Sequence, residues 1–122
     1  MIEYLDESNK SIVSYLVTGT VIASDVKKAV CDDARVVGNA AGNKSLIFTI
    51  APTFDGYWAE MMRGLRTLAD SDGCASRIRK IAIVMPPDMR GEYETESVQD
   101  MAIDCRAFTT LKQDQAMQWL VT

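Results

Sequence analysis

The stretch Lys44-Ser45-Leu46-Ile47-Phe48-Thr49-Ile50-Ala51-Pro52-Thr53-Phe54-Asp55-Gly56-Tyr57-Trp58-Ala59-Glu60-Met61-Met62-Arg63-Gly64-Leu65-Arg66-Thr67-Leu68 decides the fold. Ser45 to Ile50 is a short apolar run without strict alternation, which fits a strand covered on both faces. From Tyr57 to Ala69 the pattern changes period. Trp58, Met61, Met62, Leu65, Leu68 and Ala69 recur at the spacing of one helix face. Between the two lies Ala51-Pro52-Thr53-Phe54-Asp55-Gly56, a loop that joins a strand's carboxyl end to a helix start. Crevices at such ends are where open α/β sheets carry their sites.

Outward from that unit the chain alternates. Ile2–Leu5 and Ile12–Thr18 read as strands of a hairpin, closed by Gly19-Thr20. Ser24 reads as a helix N-cap with Asp25 in the first turn, and the apolar positions from Val26 continue the helix to Ala41. Asp33 is the one polar residue on that face, and Asp32 and Asp33 read as solvated acids. Ile81-Ala82-Ile83-Val84-Met85 is a second buried-strand run, stopped by Pro86-Pro87. Glu92–Ala102 reads as a helix with acids at its start. Arg106–Leu111 reads as the last strand and Asp114–Val121 as the last helix. The predicted order is β-β-α-β-α-β-α-β-α, an α/β fold with a mixed five-stranded sheet and four helices. Its later strands should be parallel and joined by right-handed crossovers.

Length and composition narrow the function. The chain has 122 residues, enough for a single domain spanning 1–122. It has 17 acids against 13 bases, a net charge of -4, whereas a nucleic-acid binder needs a basic surface. The cluster Arg77-Ile78-Arg79-Lys80 reads as the solvated start of a strand. No apolar run approaches the length of a membrane span. The opening Met1-Ile2-Glu3-Tyr4-Leu5-Asp6-Glu7 carries acid where a secretory signal is basic, so a cytoplasmic location is expected.

Catalytic chemistry has few candidates. There is no His, and Cys31, Cys74 and Cys105 form no Cys-x-x-Cys pair. That leaves no ordinary zinc site and no His-based nucleophilic triad within the chain. The three thiols are expected reduced, as small apolar residues. Asp70/Asp72 and Glu92/Glu94/Glu96 sit in polar stretches, where carboxylates keep ordinary pKa values. No catalytic residue, metal or cofactor is therefore expected, and the chain reads as non-enzymatic.

Several patterns together resemble the SpoIIAA-like family, small bacterial domains with a STAS-like sheet-and-helix fold. They are the Met1-Ile2-Glu3 opening, Val17-Thr18-Gly19 closing the hairpin, the Ser24-Asp25 helix start, Phe54-Asp55-Gly56-Tyr57-Trp58, Ile81-Ala82-Ile83-Val84, and the ending Ala116-Met117-Gln118-Trp119-Leu120. The resemblance implies a protein-interaction or regulatory module. STAS domains that antagonise anti-sigma factors carry a phosphorylatable hydroxyl in an Asp-Ser-like context after the third strand. The matching segment here, Thr49 to Gly56, has no Asp-Ser pair, and Thr53 is its nearest hydroxyl. The wider fold is similar to lipid-carrying CRAL-TRIO domains, which implies a pocket.

The candidate binding residues therefore surround one junction: Thr53, Phe54, Asp55, Tyr57, Trp58, Met61 and Met62. Thr53 can be modified or can cap the helix with Asp55. Trp58 lies on the apolar stripe and is expected in the core. Phe54 and Tyr57 lie off it and are candidates for an exposed aromatic patch. Met61 and Met62 are core filling by default and adaptable partner surface otherwise. Glu60 and Arg63 can pair at i, i+3. The expected partners are a second copy of the chain and another protein. The alternative is a small apolar ligand or lipid, held between the sheet and helix 57–69.

Overall fold

The apolar run at the centre of the sequence lies at the centre of the sheet. The computed structural model describes residues 1–5, 11–33, 36, 43–55, 58–71, 73–89 and 103–122. Five strands, β1 (Ile2–Leu5), β2 (Ile12–Val17), β3 (Lys44–Ile50), β4 (Ile78–Met85) and β5 (Asp104–Thr109), form one sheet in the order β1-β2-β3-β4-β5. β1 runs antiparallel to β2, with Ile2 opposite Val17 and Leu5 opposite Ser14. The other three pairings are parallel. The mixed sheet thus has the predicted hairpin and the predicted parallel run.

β5 departs from the predicted Arg106–Leu111 by ending at Thr109, which lies opposite Met85. Pro86 follows Met85 and has no N–H, so the ladder has nothing further to pair with. Thr110–Lys112 turns instead as a short 3-10 segment, and Leu111 is left 84% exposed.

Three α-helices occur among the described residues, α1 (Ala23–Cys31), α2 (Trp58–Ala69) and α3 (Gln113–Val121), where four were expected. The remaining one, predicted over Glu92–Ala102, lies outside the described residues. α1 starts earlier than its predicted Ser24 cap. The Asp25 carboxylate accepts the Ile22 N–H at 3.0 Å, and the Glu60 carboxylate on α2 accepts the Ala23 N–H at 3.0 Å. Two N–H groups at the helix start are thereby satisfied, and Ile22 becomes the N-cap. α1 ends at Cys31; most of its predicted continuation to Ala41 lies outside the described residues.

Strands that advance in one direction along a sheet put right-handed crossover helices on the same face. Val26 and Val30 of α1 and Met61, Met62, Leu65 and Leu68 of α2 accordingly share one core with Val13, Tyr15, Phe48 and Ile83 of the sheet. The two helices meet at Gly64. A Cβ there would lie 2.6 Å from Val26 Cγ2 and 2.7 Å from the Ala23 carbonyl oxygen. α3 covers the other face, where Ala116 and Leu120 pack on Ile12, Ile47, Ala82 and Val84. Its carboxyl end is held by two strands. Lys80 Nζ donates to the Trp119 carbonyl at 2.9 Å and the Ser45 hydroxyl donates to the Leu120 carbonyl at 3.2 Å.

Two expectations are corrected here. Cys31 and Cys74 are bonded to each other, not reduced, with Cα atoms 5.6 Å apart. The α1 end and the turn before β4 meet at the same side of the sheet, a proximity that a sequence separation of 43 does not reveal. Asp33 is buried, not solvated, because the Tyr15 hydroxyl donates to its carboxylate at 2.8 Å. That bond offsets the desolvation that would otherwise exclude an acid from the core. Cys105 remains a free, buried thiol.

Candidate functional site

Parallel neighbours bring their following loops side by side. β2 runs out into Thr18–Ile22 and β3 into Ala51–Asp55, both at the carboxyl edge of the sheet. The loops are then fastened together. The Ala51 N–H donates to the Val17 carbonyl at 2.9 Å and the Asp55 N–H donates to the Gly19 carbonyl at 3.0 Å. The Thr20 hydroxyl donates to Asp55 Oδ1 at 2.7 Å. Gly19 sits at φ +59°, a left-handed conformation that any side chain would strain, and this presents its carbonyl to Asp55. The amino group of Met1 donates to the Thr18 carbonyl, and Thr18 N–H returns a bond to the Met1 carbonyl at 2.8 Å.

On this corner Pro52, Thr53 and Asp55 are exposed. Phe54 is not: it is 6% exposed and belongs to the core under α1 and α2, so the expected exposed ring is corrected. The cause is a tight turn in which Phe54 N–H donates to the Ala51 carbonyl at 3.0 Å and the chain doubles back over the sheet. Met61 and Met62 are 0% and 1% exposed, which makes them core filling and removes them from any outer surface. Tyr57 lies outside the described residues. Trp58 opens α2, and its ring is likewise outside what is described.

The junction therefore presents two hydroxyls and a carboxylate on a rigid backbone, without the ring of Phe54. Asp55 is committed to Thr20, so it organises the corner before it contacts anything else. Glu60 ties the corner to both helices: besides receiving the Ala23 N–H, it pairs with Arg63 at 3.1 Å, the i, i+3 contact expected from the sequence. Exposed pairs of this kind contribute only about 0.2–0.5 kcal/mol.

A family model described as SpoIIAA-like matches residues 12–121. The chain belongs to the SpoIIAA-like family. Among the described elements, the match takes in both junction loops, the three helices and four of the five strands. Among curated proteins, none matches the chain. The membership supports, at family level, a regulatory or interaction module.

Other features of the molecule bear on the alternative reading. Between the sheet and α2, where a carrier's pocket was expected, Met61, Met62, Leu65 and Leu68 fill the space at 0–1% exposure. An open groove lies elsewhere, on the outer side of α1, with Lys27, Lys28, Cys31 and Thr67 among its walls. Among the described residues no three His, Cys, Asp or Glu side chains gather as a metal site would require. No helix among them is long and apolar enough to cross a membrane. The Thr20–Asp55 bond and the reach of Glu60 to α1 were not foreseen. The parallel neighbours β2 and β3 could have signalled the first; nothing in the spacing signals the second.

Proposed function

We propose that this chain is a non-enzymatic interaction module of the cytoplasm that engages a protein partner at the corner around Thr53 and Asp55, with Tyr57 and Trp58 as further proposed contacts. The observation that carries the reading is the pinned loop. Thr53 stands exposed while the residues on either side of it are fixed by bonds to Val17, Gly19 and Thr20. A preformed backbone of this kind lowers the ordering cost of binding. Phe54 serves as the buried anchor of the loop rather than as a contact. Self-association is part of the same reading: Leu111, in the 3-10 turn before α3, and Val121, the last residue of α3, are large apolar side chains left exposed. Solution mass across a dilution series checks it, and a constant monomer mass removes it.

The test of the corner is site-specific photo-crosslinking in cells. A photoreactive residue replaces Thr53, and a control replaces Gln115, an exposed position on α3. The reading expects a discrete adduct from position 53, absent from position 115 and weakened by Asp55→Ala. Equal adducts from both positions, or none from 53, overturn it.

A further inference from the structure

The two halves of the Cys31–Cys74 bond differ in access. Cys74 is 7% exposed, in the turn that leads into β4. Cys31 closes α1, is half-buried, and lines an open groove of about 560 Å³. Lys27 and Lys28, both exposed, stand about one turn before it on the same helix, and Ser24 and Thr67 complete that side. Among the described residues that line the groove the one acid is Asp32, so two cations face one anion in a chain whose net charge is -4. A space of this size suits a small molecule.

We propose that the Cys31–Cys74 disulfide is a reducible clasp, and that the groove over Cys31 admits a small anionic thiol that opens it. The incoming thiolate attacks Cys31 Sγ. The Cys31–Cys74 bond breaks, and its electron pair leaves on Cys74 Sγ, which takes a proton from water. A second thiolate attacks the sulfur of the thiol now attached to Cys31. Cys31 leaves as a thiolate and is protonated in turn. Two small thiols are oxidised to their disulfide, and the clasp is reduced to two thiols. Access selects Cys31 as the sulfur attacked, and the lysines raise the local concentration of the anionic thiolate. Cys105 takes no part. It is buried in the sheet, and burial, with the neighbouring Asp104 charge, pushes its thiol up to about 12, so it stays protonated. The proposal stands apart from the Thr53 corner, which lies at the other end of α1.

The test uses the full chain purified without reductant. Reduction is followed by mass, with glutathione, whose attacking thiolate carries a net charge of about -2, against 2-mercaptoethanol, whose thiolate carries about -1. Lys27→Ala/Lys28→Ala is expected to slow opening by glutathione by about threefold to tenfold and to slow 2-mercaptoethanol distinctly less, since its attacking thiolate carries one charge fewer. Raising the salt concentration should do the same to the unaltered protein. In Cys74→Ser protein, oxidised glutathione should form a mixed disulfide at Cys31; in Cys31→Ser protein, Cys74 should form none. Three results overturn the proposal: Cys31 and Cys74 both alkylated as free thiols in native, air-purified protein; adducts on Cys74 but not Cys31; or equal charge dependence for the two thiols. The lysine variant keeps the bond intact, so the test survives misfolding of either cysteine variant.

Discussion

Gly64→Ala is the sharpest test of how the two helices meet. In an ordinary helix this change stabilises, because Ala exceeds Gly in propensity by about 1 kcal/mol. Here the added Cβ would sit 2.6 Å and 2.8 Å from the Val26 side chain and 2.7 Å from the Ala23 carbonyl oxygen. Ordinary contacts between carbons lie near 3.5–4.0 Å. Val26 is fully buried and β-branched, so it has no other rotamer to move into. The carbonyl belongs to the backbone of α1 and moves only if the helix moves. Relief therefore requires α1 to lift off α2 by roughly 1 Å, which forfeits a quarter to a half of the dispersion at each contact. Overpacking of this kind costs about 1–3 kcal/mol, occasionally more. Since the propensity gain recovers part of a cost at the upper end, we expect a net loss of about 2 kcal/mol. In a domain of this size that is a fall in Tm of roughly 6–10 °C. Urea unfolding gives the free energy, and Arg66→Gly compared with Arg66→Ala, at an exposed interior position of α2, calibrates propensity alone at about 1 kcal/mol. If Gly64→Ala is neutral or stabilising, the close approach of α1 and α2 is refuted.

Tyr15→Phe removes one donor from the buried Asp33 carboxylate and should cost about 1–3 kcal/mol by urea unfolding; an unchanged midpoint means that the bond is dispensable. Lys80→Met keeps the aliphatic stem but removes the cation from the Trp119 carbonyl and from the face of its ring, 4.9 Å from the centroid. It should lower stability by about 1 kcal/mol, less at high salt. Cys105 titrates from 9.0 in the unfolded chain and about 12 in the folded one, so its contribution is complete below pH 9 and is lost as pH rises toward 12. At pH 10 the loss is roughly 1.4 kcal/mol, and the difference in unfolding free energy between Cys105→Ala and the parent should close by that amount. Reducing the clasp should raise amide exchange over 28–33 and leave 19–25 unchanged.

The sheet was legible because its physics is local and periodic. β3 and β4 are apolar runs with hard stops, and Trp58–Ala69 carries a helical stripe that could bury only one way. What failed was set by tertiary geometry. Phe54 lies off the helical stripe, yet a backbone turn at Ala51 carries its ring inward. Asp33 reads as a surface acid because its partner, Tyr15, is 18 residues away on β2. The Cys31–Cys74 pair is equally nonlocal, and no spacing motif announces it. The end of β5 is a milder case: its own residues permit a longer strand, and the proline of its neighbour stops the pairing. That the Ala51–Asp55 loop lies at the carboxyl edge of the sheet was legible from strand order alone. Which of its side chains face outward was not, because that depends on hydrogen bonds between two loops.

α1 lies between the two proposed sites, and its fastenings decide whether they communicate. Its first turn is held by Asp25, by Glu60 of α2 and by the close approach of Gly64 to Ala23 and Val26. None of these involves a sulfur. Its last turn is held by burial of Val30 and by the bond from Cys31 to Cys74. Opening that bond removes a restraint from one end only, and the bonds at the other end are complete without it. Coupling between sites requires an element with two arrangements that both sites bias. A helix clamped at its start by three independent contacts frays from its free end instead, at a free energy below that of global unfolding. The Thr53 corner should therefore bind equally well with the clasp open or closed. A change in exchange at Thr20 or Asp55 on reduction would mean that α1 moves as a rod, and the two sites would then be one switch.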